Sequence, residues 1–294
     1  MNTAQVFPIF FPVFTLLAVG YCFGKFRKID LNSLTELVIY VASPCLVFSS
    51  VSQRHFGGTD FLVLGGSAVF VILGVGAIAF VVARLRGIED RGIYLASMFM
   101  NSANLPFPLV LLAFGEAGLA RAIMYFLIVS LLQFSLGVYL ATFQRSLRPI
   151  LRFPILYAFF AALVVSIGKI PIPSVVLVPI NMMGNLAITM MVLALGYKIS
   201  TLKARSIGLP LATSALRIGG GFLLGLLFVE IFHVSGLNRA IILLDSAMPS
   251  AVFNFVLAEK YRLSPELVAS TILISTLVSL ITTPILLGYL LSSP

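Results

Sequence analysis

An amide- and proline-rich stretch, residues 101–108 with the sequence NSANLPFP, lies in the middle of an apolar segment that spans roughly residues 92–114. Proline removes a backbone donor and clashes with the preceding helical turn, so this segment is predicted to be a broken helix. In a bilayer, backbone groups freed by such a break are tolerated only where protein or a water-filled cavity satisfies them. Asn101 and Asn104 can satisfy the break or bind a substrate or ion, because a carboxamide both donates and accepts.

A second polar interruption, Asp245-Ser-Ala-Met-Pro249, lies in a later apolar segment. The half-helices that begin near Pro106 and Pro249 present free N–H groups, each end equivalent to roughly +0.5 elementary charge. Two such ends at one place favour the binding of an anionic group. The opposing C-terminal ends present carbonyl oxygens, which can coordinate a cation or accept hydrogen bonds from amide side chains.

Two full charges lie deep in apolar segments, Arg217 and Asp245. Burial of such a residue costs at least about 2.5–3.5 kcal/mol on insertion scales, so each is a candidate functional residue. One interpretation is a structural ion pair between them. The other is that Arg217 attracts a carboxylate while Asp245 carries a coupling proton or cation. Ser130 and Gln133, one helical turn apart, are candidates for the same coupling-ion site, although interhelical hydrogen bonds explain them more simply.

The composition identifies an integral membrane protein, since 60% of the residues are hydrophobic and only 10% are charged, against about 25% charged in soluble domains. At about 20 residues per crossing, ten apolar segments predict ten transmembrane helices, numbered 1–10 in chain order, and leave no room for a soluble domain. The segments are roughly 5–24, 32–52, 61–83, 92–114, 119–142, 153–168, 174–198, 206–232, 238–258 and 265–290.

The net charge of +9 is concentrated on one side of the predicted membrane. Loops on that side carry Lys25, Arg27, Lys28, Arg84, Arg86, Arg91, Arg145, Arg148, Arg152, Lys198, Lys203, Arg205, Lys260 and Arg262, whereas the other side carries Arg54, Arg121, Lys169 and Arg239. This asymmetry follows the positive-inside rule and predicts that both termini lie outside the cytoplasm. Because no loop holds a cluster of four or more, a nucleic-acid partner is not expected.

The two halves of the chain share features in the same order, at an offset of roughly 145–155 residues. Phe-Pro-Ile opens helices 1 and 6, glycines crowd helices 3 and 8, and a polar stretch ending in proline interrupts helices 4 and 9. The shared order of features therefore predicts a 5+5 repeat, with five helices in residues 1–147 and five in residues 148–294. Five helices is an odd number, so the second repeat is inverted, and the broken helices 4 and 9 run in opposite directions through the membrane. Inverted repeats with paired broken helices are typical of secondary transporters, with the substrate site at the breaks.

Two motifs give the sequence a family resemblance: Asn-x-x-Asn-Leu-Pro-Phe-Pro at 101–108 and Ala-Met-Pro-Ser-Ala-Val-x-Asn-x-x-x-Ala-x-x-Tyr at 247–261. They resemble the auxin efflux carrier family of bacteria and plants, and the resemblance covers the whole chain. Family members carry small organic anions, including auxin in plants and malonate or malate in bacteria. They share a fold with bile-acid sodium symporters and sodium/proton antiporters.

The resemblance implies a scaffold of helices 1, 2, 6 and 7, a moving bundle of helices 3–5 and 8–10, an elevator-type motion and a homodimer. It also implies crossed helices 4 and 9, with a crossover built from Asn101, Asn104, Pro106, Met248, Pro249 and Asn254. Arg217 is expected to be a further substrate contact because its charge can attract a carboxylate. The chain lacks the long central loop of plant members, which favours a bacterial-type permease of the plasma (inner) membrane. No cofactor is expected beyond a coupling H⁺ or Na⁺.

Three alternatives to a carrier of small carboxylates are a cation/proton antiporter, an intramembrane enzyme and a membrane sensor or scaffold. The paired breaks argue against the sensor or scaffold. A cation/proton antiporter would use Asp245, but one deep acid beside a deep arginine suits anion handling better. An intramembrane enzyme is disfavoured because the sequence has no Ser/His pair, His-Glu-x-x-His motif or paired deep aspartates. A metal site is not expected, because His55 and His233 are isolated from other ligand residues.

Overall fold

The computed structural model describes residues 3–53, 58–142, 151, 153–204 and 207–292, and in these ranges the chain is helical with no regular β-strand. The predicted all-α class is confirmed. The helices are α1 (Thr3–Phe26), α2 (Leu31–Leu37), α3 (Ser43–Ser52), α4 (Gly58–Arg86), α5 (Gly92–Met98), α6 (Pro106–Leu132), α7 (Val138–Thr142), α8 (Pro154–Ile167), α9 (Ser174–Thr201), α10 (Gly208–Ala215), α11 (Gly221–Ile231), α12 (Gly236–Ser246), α13 (Phe253–Tyr261) and α14 (Pro265–Ser292). Outside the described residues lie Arg54, His55, Arg145, Arg148, Arg152 and Arg205, which the sequence argument used.

In the described part of the chain, three π-helical turns connect neighbouring helices: Val38–Ala42 joins α2 to α3, Gln133–Gly137 joins α6 to α7, and Leu216–Gly220 joins α10 to α11. A π-helical turn inserts an extra residue into the helix, and such turns are frequent at functional sites. Two of the three contain candidate site residues, Gln133 and Arg217.

All ten apolar segments are largely helical, but within the described residues only seven helical runs are long and apolar enough to cross a membrane. The number differs from ten for three reasons. Predicted helices 4 and 5 share one run, Pro106–Thr142. Predicted helix 6 is the 14-residue α8, and predicted helix 9 is divided into α12 and α13, of 11 and 9 residues.

The junction between predicted helices 4 and 5 is a single residue rather than the expected loop. Gly115 has φ 66° and ψ −166°, a backbone conformation in which α6 turns sharply before it continues. This region is essentially restricted to glycine, because a Cβ would clash with the residue's own backbone. Apart from the adjoining residues and backbone of its own helix, no described atom lies within 4 Å of the position that a Cβ would take. The backbone geometry, not lack of space, therefore requires glycine here.

The described helices pack in two groups. In one, α1 packs along α9, and α3 packs against α8 and α9. Gly20 and Gly196 bring the backbones of α1 and α9 into direct contact, as small residues do between membrane helices. In the other, α4 packs against α6, α11 and α12, and α14 packs against α10, α5 and α13. Large apolar side chains such as Phe26 and Val175 are exposed on the outer faces, which suits contact with lipid.

Candidate functional site

The two interrupted helices meet at their breaks. Residues 99–105 separate α5 from α6, and residues 247–252 separate α12 from α13. Met100 and Ser250 form an antiparallel bridge. The Asn101 N–H donates to the Pro249 carbonyl at 2.8 Å, and the Ala251 N–H donates to the Phe99 carbonyl at 3.0 Å. The helix breaks that the prolines predicted are therefore observed. Each broken segment forms hydrogen bonds with backbone groups that the other break leaves without a partner inside a helix.

The guanidinium of Arg217 lies at the carbonyl ends of both broken helices. Its Nη1 donates to the carbonyls of Ser97 and Met98, at 2.9 Å each, where α5 ends. Its Nη2 donates to the carbonyl of Ser246 at 2.8 Å, where α12 ends. The side chain is 0% exposed, and its Nε has no hydrogen-bond partner among the described residues.

Gly221 and Gly225 make the space for this arrangement. A Cβ on Gly221 would overlap both Nη2 of Arg217 and the carbonyl oxygen of Ser246. A Cβ on Gly225, one turn later, would overlap the Ser246 hydroxyl. The glycine-rich sequence of α11 therefore permits close packing, as small residues in membrane helices commonly do, and it also leaves room for the guanidinium.

The crossing, which is the place where residues 99–105 meet residues 247–252, also carries the amides. The Oδ1 of Asn101 accepts a hydrogen bond from the Asn104 N–H at 3.1 Å. The residue is buried, with 5% of its surface exposed, and its Nδ2 has no described hydrogen-bond partner. Asn104 is half-buried beside it. Pro106 begins α6 without a side-chain cap, and α13 also begins without one. The first backbone N–H groups of both helices are nevertheless paired: Phe107 donates to the Ala103 carbonyl, and Asn254 and Phe255 donate to the carbonyls of Ala251 and Val252, at 3.1 Å each. The sequence predicted free N–H groups near Pro106 and Pro249, whereas the second helix begins only at Phe253 and these donors are not free.

Asn254, on α13, forms hydrogen bonds that link three parts of the crossing. Its Nδ2 donates to the Phe99 carbonyl at 2.9 Å and to the Ser250 hydroxyl at 3.0 Å, and its Oδ1 accepts from Gln133 Nε2 at 2.7 Å. Ser130 is buried one turn before Gln133, and Met248 is fully buried in the break. Gln133 and Asn254 were predicted for different roles, and the structure joins them in one network.

Asp245 and Arg217 are both fully buried, yet the described contacts include no hydrogen bond or ion pair between them. Neither carboxyl oxygen of Asp245 has a described hydrogen-bond partner. The hydroxyl of Tyr125 on α6 is also buried without one, and it lies within electrostatic range of both charges. Sequence reasoning missed Tyr125; the available signal was a phenol in the middle of an apolar helix, whose hydroxyl needs a polar neighbour.

Two further polar features lie outside the crossing. A cavity of about 230 Å³ lies between α3, α6 and α9, lined by Ser49, Gln53, Glu116, Asn181 and Asn185 among others. At another place, Arg121 pairs with Asp60 at 3.3 Å, and Asn238 bonds to both, at 2.8 Å each, which links α4, α6 and α12. Within the described ranges, no group of three or more His, Cys, Asp or Glu side chains could hold a metal ion.

A chain of long apolar helices with a polar centre at two crossing breaks is a multi-pass membrane protein. The sequence profile of the family described as "Membrane transport protein" matches residues 5–146 and 138–287. The chain therefore belongs to this membrane transport family, the auxin efflux carrier family that its motifs resemble.

Two archaeal relatives match nearly the whole chain, and each is described as an uncharacterized transporter. The protein of Methanothermobacter thermautotrophicus is 30% identical over 292 residues, which cover 93% of this chain and 94% of the relative. That of Methanocaldococcus jannaschii is 29% identical over 289 residues, which cover 92% and 94%.

Proposed function

We propose that this protein is a secondary active transporter of small organic anions, carboxylates such as malonate, malate or auxin-like acids. The observation that carries the proposal is the buried Nδ2 of Asn101, a donor without a described partner beside two uncapped helix starts. A buried donor left unpaired costs about 1–3 kcal/mol. A carboxylate oxygen placed there recovers that cost, because it accepts hydrogen bonds and carries the charge that helix N-termini favour.

The two prolines of α6 explain why the site needs amides. Pro106 and Pro108 have no N–H, so this helix start offers fewer backbone donors than an ordinary one. The side chains of Asn101 and Asn104 replace the missing donors. Met248, Pro249 and Asn254 are proposed to shape the other wall of the substrate site. Two of the three guanidinium nitrogens of Arg217 already donate to carbonyls, so a substrate contact at Arg217 would use its Nε, which has no described partner.

Coupling is proposed to reside at Asp245, with a proton or Na⁺ as the coupling ion. An isolated buried carboxyl group without hydrogen bonds is costly, so a bound ion or proton stabilises it. The Tyr125 hydroxyl, also without a described partner, adds an oxygen ligand near the same place. Ser130 and Gln133 remain candidate members of the coupling site, with Gln133 acting through its bond to Asn254.

The architecture proposed for this activity is ten transmembrane helices in a 5+5 inverted repeat, residues 1–147 and 148–294. The packing supports a scaffold of helices 1, 2, 6 and 7, because α1, α3, α8 and α9 pack chiefly on one another. The remaining helices form the proposed transport bundle, which moves past the scaffold in an elevator motion. A homodimer in the plasma membrane, with both termini outside the cytoplasm, completes the proposal.

A second candidate, a cation/proton antiporter, rests on Asp245 alone. Its fully buried carboxyl group without described partners could exchange a proton for a metal cation. The two candidates differ in one requirement. A carboxylate carrier moves charge or protons only when a carboxylate is supplied, whereas an antiporter moves protons in response to Na⁺ or K⁺ alone.

The test uses purified protein in proteoliposomes, with labelled malonate, malate and indole-3-acetate and imposed H⁺ or Na⁺ gradients. Gradient-driven uptake of at least one acid is expected. The variant Asn101→Asp keeps the oxygen that accepts the Asn104 N–H but replaces the free donor with a charged oxygen, so it should abolish uptake. Proton movement on addition of Na⁺ without any carboxylate would favour the antiporter. No carboxylate uptake under any gradient would reject the first proposal.

A further inference from the structure

The carbonyl ends of α5 and α12 converge on one side chain, the guanidinium of Arg217. Each helix C-terminus carries a partial charge of roughly −0.5, because its last carbonyl groups have no partner within the helix. Two such ends sum to about one negative charge. Convergent carbonyl oxygens are the ligands by which broken membrane helices coordinate Na⁺ or other coupling cations. The crossing therefore creates a place for a cation, independent of any substrate.

The guanidinium of Arg217 occupies this position and donates hydrogen bonds to the carbonyl oxygens there. Three carbonyl oxygens, those of Ser97, Met98 and Ser246, accept its hydrogen bonds at 2.8–2.9 Å. These distances are typical of charge-assisted bonds. The planar fork of a guanidinium can serve two diverging backbones at once, which a lysine amine serves less well. Gly221 leaves the space in which the fork lies.

Asp245 makes no described ion pair with Arg217. It is one residue before Ser246, yet neither of its carboxyl oxygens makes a described hydrogen bond with the guanidinium. An arginine 0% exposed to solvent must be balanced by its surroundings, because an unpaired buried charge is very costly. The two helix ends provide that balance through their carbonyl groups.

We propose that Arg217 is a resident cation of the crossing: it occupies the position that a metal cation would take between the two carbonyl ends. The crossing then needs no bound Na⁺ at this position, and any coupling ion must bind elsewhere. This inference concerns the assembly of the crossing, so it can hold or fail whether or not the protein transports carboxylates.

The first experiment separates charge from hydrogen bonding by thermal unfolding of purified protein in detergent. Arg217→Lys keeps the charge but loses the fork, whereas Arg217→Gln keeps two N–H donors but loses the charge. We expect the unfolding temperature to fall in the order wild type, Arg217→Lys, Arg217→Gln. A glutamine variant as stable as the lysine variant would overturn the proposal, because hydrogen bonding alone would then account for the site.

The second experiment restores the cation from solution. Arg217→Ala is expected to unfold at a temperature several degrees lower, and millimolar guanidinium or Na⁺ is expected to recover part of that loss. Tetramethylammonium at the same ionic strength is the control, because it carries charge but cannot donate hydrogen bonds or fit between the carbonyls. The wild type should not respond to guanidinium or tetramethylammonium, and any Na⁺ response that it shows, as from binding at Asp245, is subtracted from that of the variant. Absence of recovery with both guanidinium and Na⁺, or equal recovery with tetramethylammonium, would contradict a cation site.

Discussion

Replacement of Gly221 by alanine tests the contact between α11 and the crossing. The added Cβ would overlap a nitrogen of Arg217 and the carbonyl oxygen of Ser246, a backbone atom that cannot rotate away. Overpacking of a filled interior costs about 1–3 kcal/mol. If the Arg217–Ser246 hydrogen bond of 2.8 Å also breaks, a charged hydrogen bond adds about 1.5–3 kcal/mol. The expected loss is therefore roughly 3 kcal/mol or more.

Gly219→Ala is the matched control, since it lies two residues earlier, where nothing is within 4 Å of the added Cβ. The same substitution there should be neutral or slightly stabilising, because alanine exceeds glycine in helix propensity by about 1 kcal/mol. Thermal unfolding of both purified variants measures the difference. At about 2–4 °C per kcal/mol for chains of this order of size, Gly221→Ala should unfold roughly 6–12 °C below wild type. Equal unfolding temperatures for the two variants would refute the description of the guanidinium site.

Three more substitutions test the polar centre. Asp245→Asn should abolish gradient-driven uptake but leave exchange of preloaded substrate; driven uptake that survives would exclude the coupling role. Tyr125→Phe should change the unfolding temperature little, since its hydroxyl has no described partner, and should lower driven uptake; a large loss of stability would mean that the hydroxyl is bonded. Asn254→Ala removes three hydrogen bonds, so at about 0.5–1.5 kcal/mol each it should lower the unfolding temperature clearly, and an unchanged value would contradict the network.

The local chemistry of the chain predicted much of the fold. Long apolar segments require helices in a bilayer, and prolines with adjacent polar residues require breaks, so the positions of α5, α6, α12 and α13 follow from the residues. The abrupt turn at Gly115 did not follow, because glycine permits many conformations and the sequence does not say which one is used. The 14 residues of α8 agree with its apolar run of 16 residues, which is shorter than the roughly 20 residues of a typical crossing.

The candidate site was predictable only in part. Asn101 and the prolines could be recognised as site residues from the sequence, because an amide and prolines are unusual in the middle of an apolar helix. The hydrogen-bond partners of Arg217 could not be recognised in this way, because they are backbone carbonyls 120, 119 and 29 residues away. Every residue has a backbone carbonyl, so the residue types do not indicate which ones are used. Gln133 and Arg217 also lie in π-helical turns, which the residue types do not indicate. Burial alone suggested an Arg217–Asp245 pair, whereas the described hydrogen bonds of the guanidinium are to helix ends.

The central claim is that the crossing carries small carboxylates by alternating access. Counterflow in proteoliposomes tests this most directly, because exchange of internal unlabelled for external labelled acid needs no coupling ion and no assumption about direction. The account predicts transient accumulation of labelled malonate or malate by the wild type and by Asp245→Asn, and none by Asn101→Asp. Equal accumulation by wild type and Asn101→Asp, or none by the wild type with any carboxylate, would contradict it.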